Sequence, residues 1–259
     1  ISAENLITES NYILNDPEIT DVMIFTRHEQ HSQLALKALR NDKNVFVEKP
    51  LFITKAESDE WEDYVSFSEN NGLFVGYNRS YSSCLVNAKK QLGGRTFTLN
   101  YTIVAGRVPR DSWVVNPLIG GGRIIGEVCH FLHFATALSG QNIEQMNFVK
   151  NDGMSQDDGH LIITLRLKCG SLVNINYICE DIKNHPKEII NIYSENLHIQ
   201  INNFSEYIST IKGKKKINRF TKDKGQGDML TEYFGACEAW EHQNLKTNVS
   251  ISNFCLAMQ

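Results

Sequence analysis

No apolar run in this 259-residue chain approaches the length of a membrane span; Val22 to Phe25 and Val45 to Val47 are typical of the longest. No charged, apolar and small-residue series of the signal-peptide kind opens the chain, and a soluble, cytoplasmic protein is expected. A basic surplus is also missing. With 26 Lys and Arg against 30 Asp and Glu, the net charge is −4, which removes any broad electrostatic reason to bind nucleic acid or an anionic membrane. A small-molecule partner is the expectation that remains. The 6 cysteines form no CxxC pair and are scattered from Cys84 to Cys255, so neither a zinc knuckle nor a dense disulfide framework is expected. They read as reduced thiols in or near a core. Repeats and low-complexity stretches are absent as well.

What is present has a clear grammar. Val22 to Phe25, Val45 to Val47 and Leu73 to Tyr77 are short continuous apolar runs, as expected of parallel strands buried on both faces. Between the first two, His31 to Leu39 sets Leu34 with Ala38 and Ala35 with Leu39 at helical spacing, and Asn41-Asp42-Lys43-Asn44 ends the helix. Between the second and third, Thr54-Lys55-Ala56-Glu57 is a capping box opening a helix that carries Trp61, Tyr64 and Val65 and ends near Asn70-Asn71-Gly72. Strands alternating with helices imply right-handed crossovers and a ligand crevice at the strands' carboxyl ends. Thr26-Arg27-His28, Glu48-Lys49-Pro50 and Asn78-Arg79 stand at those ends.

Beyond Tyr81 the pattern changes. A helix over Ser82 to Leu92 leads to an alternating strand over Thr96 to Val104, then to a Gly- and Pro-rich loop and a helix over Gly122 to Leu138. Strands are expected at Met146 to Val149, His160 to Leu167, Leu172 to Ile178, Glu188 to Tyr193, Leu197 to Asn202, Tyr207 to Ile211 and Ile217 to Phe220, and a last helix over Gly227 to Glu241. The run Lys212-Gly213-Lys214-Lys215-Lys216 reads as a solvated hairpin turn. Strands without intervening helices imply a large, mostly antiparallel open sheet packed on helices. The expected organisation is therefore a truncated Rossmann-type parallel sheet in residues 1–80 and a substrate or oligomerisation domain in 81–259. The free face of the second sheet is where a homo-oligomer is expected to form.

Two residues stand out chemically. Lys49 ends a buried strand, and the following Pro50 fixes the chain direction and has access to the cis form. Partial burial would lower the lysine's pKa and fit it for sharing a proton, although on spacing alone an ordinary surface lysine in a strand-to-helix loop is the favoured reading. His130 follows Gly120-Gly121-Gly122, where the backbone can pass close to a ligand; it suits a proton acceptor, against the plainer reading of a satisfied core histidine. The pairs His28/His31 and His130/His133 could each offer two corners of a zinc site, but no third ligand accompanies them at a recognisable spacing, and no metal is expected.

The segments Thr26 to His31, Val45 to Leu51 with its Glu48-Lys49-Pro50, and Val75 to Arg79 together resemble the Gfo/Idh/MocA family of glucose-fructose oxidoreductase and inositol dehydrogenase relatives. Tyr101 to Gly140 resembles more narrowly the oxidoreductase half of two-domain bacterial proteins joined to a zinc-type alcohol dehydrogenase module. The resemblance implies NAD or NADP as cofactor, a sugar, cyclitol or nucleotide-sugar substrate, and Lys49 with His130 as the catalytic pair, Glu127 being the nearest carboxylate. It further implies Thr26, Arg27, His31, Glu48, Lys49, Pro50 and Asn78 as the cofactor's neighbours, and Arg107, Trp113, Arg123 and His133 as the substrate's. The chain departs from the pattern at Gly126 and His133, where the family commonly has aspartate, and at Val104 and Ser112. It also has no G-x-G-x-x-G turn before Val22, which leads to the expectation of a fragment whose own grip on the cofactor pyrophosphate is weak. A non-catalytic binding or scaffolding module on the same fold is the alternative.

Overall fold

The computed structural model describes residues 6–68, 72–151, 159–235 and 245–259. A short helix α1 (Ser10–Asn15) precedes three strands, β1 (Asp21–Ile24), β2 (Asn44–Val47) and β3 (Leu73–Val75), which pair in parallel in that order with α2 (His28–Leu39) and α3 (Lys55–Phe67) as crossovers. Asp42 takes φ 54 in the turn that stops α2. The capping box of α3 is formed as its sequence implies, Thr54 accepting from the Glu57 amide while the Glu57 carboxylate receives the Thr54 amide. Trp61 is wholly buried and donates to the Ser32 hydroxyl, 3.0 Å, binding α3 to α2. The expected end of α3 at Asn70-Asn71-Gly72 lies mostly outside the described residues; the helix itself stops at Phe67.

Among the described residues β1 pairs with β2 alone; Val22 and Met23 are half-buried, Ile24 is buried, and Phe25, just past the strand's end, is 60% exposed.

A 3-10 turn (Asn78–Tyr81) joins this sheet to α4 (Ser83–Leu92), capped by the Ser82 hydroxyl, and then to β4 (Thr98–Val104). A second 3-10 turn (Trp113–Val115), a π-helical turn (Ile124–Val128) and α5 (Cys129–Ser139) follow. The single helix expected over Gly122 to Leu138 is thus split, with the looser π turn placed just before His130. Seven further strands run β5 (Ile143–Lys150), β6 (Leu161–Leu167), β7 (Leu172–Ile178), β8 (Glu188–Ser194), β9 (Leu197–Asn202), β10 (Glu206–Ile211) and β11 (Lys214–Arg219). The sheet order is β11-β10-β9-β8-β4-β7-β6-β5, antiparallel throughout except for the β4/β7 pair. Period-two alternation decides its faces: Leu99, Tyr101 and Ile103 of β4, Ile163 and Leu165 of β6, and Ile190 and Ile192 of β8 are buried beneath the helices, while the intervening residues face outward. In the basic run only Lys212 and Gly213 form the turn, both at positive φ, and Lys214 to Lys216 belong to β11.

The last expected helix appears as α6 (Gln226–Gly235), the remainder to Glu241 lying outside the described residues. A helix not foreseen, α7 (Leu245–Leu256), returns to pack on α3 and α5, burying Leu245, Val249, Ile251 and Cys255. Its Asn253 accepts from Ser58, 2.6 Å, and donates to Glu62, 2.7 Å, both on α3. Cys84, Cys129 and Cys255 are free thiols buried in the core and Cys169 is free and half-buried, as expected; Cys179 is buried too, with its Sγ 3.4 Å from the Gly159 carbonyl oxygen, and Cys237 lies outside the described residues. No helix among the described residues is long and apolar enough to cross a membrane.

Candidate active site

The carboxyl ends of the three parallel strands converge on the π turn and the start of α5. Lys49 follows β2 through a cis bond to Pro50, and its Nζ donates to the Gly126 carbonyl, 2.7 Å, inside the π turn. An ammonium has three N–H donors, so two remain for an oxygen brought beside it. The Gly126 position is close-fitting: a β-carbon there would come 3.1 Å from His28 Cε1. Four residues on, His130 is 9% exposed, and its Nδ1 is buried without a hydrogen-bond partner among the described residues. Burial, then the nearby charges of Arg79 and Lys49, hold this imidazole well below its ordinary pKa, so the ring is neutral.

Behind His130 lies a buried ionic cluster that spacing in the sequence did not disclose. Glu188, the first residue of β8, is fully buried on the helix-facing side of the large sheet. Arg79 donates to both its oxygens, each at 2.9 Å, and the Tyr101 hydroxyl and Lys224 Nζ complete its partners. Burial alone would raise the Glu188 carboxyl, but Arg79 and Lys224 outweigh it and hold the group at about 2. Arg79 also lies 5.4 Å from the Phe131 ring centroid, next to His130 in the chain. The only sequence signal was Arg79 in Asn78-Arg79, since Glu188 and Lys224 lie more than a hundred residues away.

Among the expected cofactor neighbours, Thr26 and Arg27 are exposed at the end of β1, with Arg27 5.8 Å from the Trp113 ring centroid. His31 is buried with Nδ1 2.8 Å from the Pro50 carbonyl oxygen and Nε2 3.0 Å from that of Thr26, so it braces the two strand ends. The Glu48 carboxyl, raised by burial, packs where a β-carbon on Gly76 would come within 3.0 Å, which brings the ends of β2 and β3 together. Asn78 is buried and donates its side-chain amide to the Lys224 carbonyl, 2.9 Å, tying β3 to the loop before α6. His28, offered as half of a zinc pair, instead bonds the Gly120 carbonyl through Nδ1, 2.7 Å, and burial pushes its pKa down to about 4. Among the described residues no group of three or more His, Cys, Asp or Glu is arranged to hold a metal.

The expected substrate neighbours divide. Trp113 stands edge-on to His28, ring centroids 4.8 Å apart, near the strand ends. Arg123 is buried, and its guanidinium is spent on Glu127, 3.2 Å, and on the Gly106 carbonyl, 2.7 Å, which makes it a brace for the glycine loop. Arg107 pairs with Glu180 at 3.0 Å, its side chain 56% exposed. His133 turns to Ser80, with Oγ and Nδ1 2.6 Å apart, and stacks on Tyr77 at a centroid distance of 4.2 Å.

Residues 2–77 match the model of the GFO_IDH_MocA oxidoreductase family, described as an NAD-binding Rossmann fold. An uncharacterized oxidoreductase of Escherichia coli, YhhX, is 37% identical over 31% of this chain and 23% of its own length. Myo-inositol 2-dehydrogenase of Thermotoga maritima is 22% identical over 66% of this chain and 53% of its own length. The chain thus spans about a quarter to a half of these curated relatives. Levoglucosan dehydrogenase, solved with NADH and levoglucosan, superposes with a TM-score of 0.76 at 18% identity, covering 97% of this chain and 80% of that one, and so shares the fold.

Proposed function

We propose that this protein is an NAD(P)-dependent oxidoreductase of the Gfo/Idh/MocA kind, interconverting a secondary alcohol and its ketone on a sugar, cyclitol or nucleotide sugar. The observation that carries the reading is the buried, unpartnered Nδ1 of His130, one helical turn beyond the carbonyl that holds Lys49. The family match over residues 2–77 and the dehydrogenases of myo-inositol and levoglucosan among its relatives support it.

The groups at the strand ends, Thr26, Arg27, Glu48 and Asn78 with the bracing His31 and Pro50, suit the nicotinamide and ribose end of a dinucleotide. The bound cofactor would supply the hydride acceptor or donor. Lys49 directs its remaining N–H donors at the substrate oxygen, where negative charge grows as the hydroxyl proton leaves. His130 takes that proton. The positive neighbours disfavour the charged ring, so the proton passes onward; Glu127, three residues earlier and held by Arg123, is the carboxylate we assign to that step.

In the whole protein, with myo-inositol and levoglucosan as first substrates, His130→Ala should lower turnover by about 10²- to 10⁴-fold and leave NADH binding, read by fluorescence, unchanged. Undiminished turnover would end the assignment. An absence of any saturable NADH response would favour the scaffolding alternative. That alternative draws on the outward face of the large sheet, where Ile162 (49% exposed), Leu172 (54%) and Tyr193 (44%) stand among polar residues. We read this same face as the surface through which copies associate, and Ile162→Lys should shift the sedimentation of the protein to a smaller species.

A further inference from the structure

A cavity of about 700 Å³ opens among α4, α5, the β6–β7 turn and the start of α7, with Ser80 and Tyr81 of the 3-10 turn after β3 on its rim. Its charged lining is entirely basic: Lys89 and Lys90 come from the last turn of α4 and Lys168 from the β6–β7 turn. In a chain of net charge −4, no carboxylate of a described residue lines it, and none of the three lysines forms an ion pair with a described residue. A helix C-terminus accounts for Lys89 and Lys90, since cations there offset the helix dipole. It does not account for Lys168, which a different element brings to the same space.

The walls are fixed before any ligand arrives. Lys168 donates its amide to the Asn142 carbonyl, 3.0 Å, and the Asn142 side chain accepts from Thr247, 2.8 Å, which ties the turn to α7. His133, held by Ser80 and Tyr77, lines the same cavity, while Leu85, Val86 and Ala137 give it an apolar side. The volume falls in the range of small-molecule sites, and it exceeds what a bare inorganic anion would fill.

We propose that this cavity is a second ligand site, independent of the His130 centre, that binds a small phosphate monoester. The lysines take the phosphate, whose charge of about −2 they more than offset, and the organic group lies against Leu85, Val86 and Ala137. His130 and His133, three residues apart on one helix, then serve two different sites.

Phenyl phosphate is a suitable probe, titrated by calorimetry at constant ionic strength with phenol as control. The wild type should bind it saturably and bind phenol at least about tenfold more weakly. The double variant Lys89→Gln/Lys168→Gln, whose residues are exposed and whose fold circular dichroism would verify, should lose at least about tenfold in affinity. His130→Ala should bind as the wild type does, so a failure of the oxidoreductase assignment leaves this test intact. The site is refuted if the wild type shows no saturable binding, if the double variant retains it, or if His130→Ala abolishes it.

Discussion

At the scale of single residues, the site depends on positions where one added carbon has nowhere to go. A β-carbon at Gly225 would lie 2.5 Å from the Asn78 carbonyl oxygen and 2.5 Å from the Ser82 amide, and the residue sits at φ +85. Backbone cannot yield as a flexible side chain can, so Gly225→Ala should cost more than about 2 kcal/mol, read as a lowered urea midpoint. An unchanged midpoint would mean that the loop carrying Lys224 does not press on the Asn78 turn. Lys49 makes the opposite kind of prediction, in chemistry and not in stability. Replacing it by Ala removes a half-buried ammonium and leaves the Gly126 carbonyl to water, so kcat should fall by about 10²-fold or more while the melting temperature moves little.

Elements are held by caps and by one buried charge cluster. Thr54→Ala removes an acceptor for the Glu57 amide and should destabilise the protein by about 1 kcal/mol in chemical denaturation. Glu188→Gln is the harsher change, because it leaves Arg79 and Lys224 buried without a counter-charge; a loss of about 3 kcal/mol or more is expected. A loss comparable to that of Thr54→Ala would show that water reaches the cluster. The same elements differ in how far their sequences disclosed them. The capping box and the apolar period of α2 are local, and both helices were expected. Leu245 to Leu256 carries Asn248, Ser250, Ser252 and Asn253 with Val249 and Ile251, residues of modest helix propensity, and it is a helix because α3 and α5 offer a surface to bury one face.

For the whole molecule, the buried imidazoles set a pH dependence. Folded His28 titrates at about 4 and His133 at about 3, both lowered by burial, and His130 is lowered as well. The unfolded chain protonates these groups first, near 6.5, so between about 6.5 and 3 it binds more protons and stability falls with falling pH. His28 alone corresponds to about 3 kcal/mol across its window. Glu188 acts on the same side: its contribution is whole above 4.5 and is lost as pH falls towards about 2. Urea unfolding should therefore give constant stability from pH 7 to 8 and a steady decline from 6.5 to 4.5. A level profile over that lower range would contradict the neutral, buried state of the three rings.

The sequence by itself determined the parallel strands with their crossovers and the alternating strands of the large sheet, because each rests on spacing within a few residues; Lys49 and His130 drew notice chiefly through a family resemblance. Only the tertiary structure decided that Asn78 binds the Lys224 carbonyl, that Arg123 braces a loop, that His133 turns to Ser80, and that Glu188 lies buried against Arg79. Those choices are made by groups far apart in the chain competing for the same donors and acceptors in a water-poor interior, where a buried polar atom left without a partner is costly.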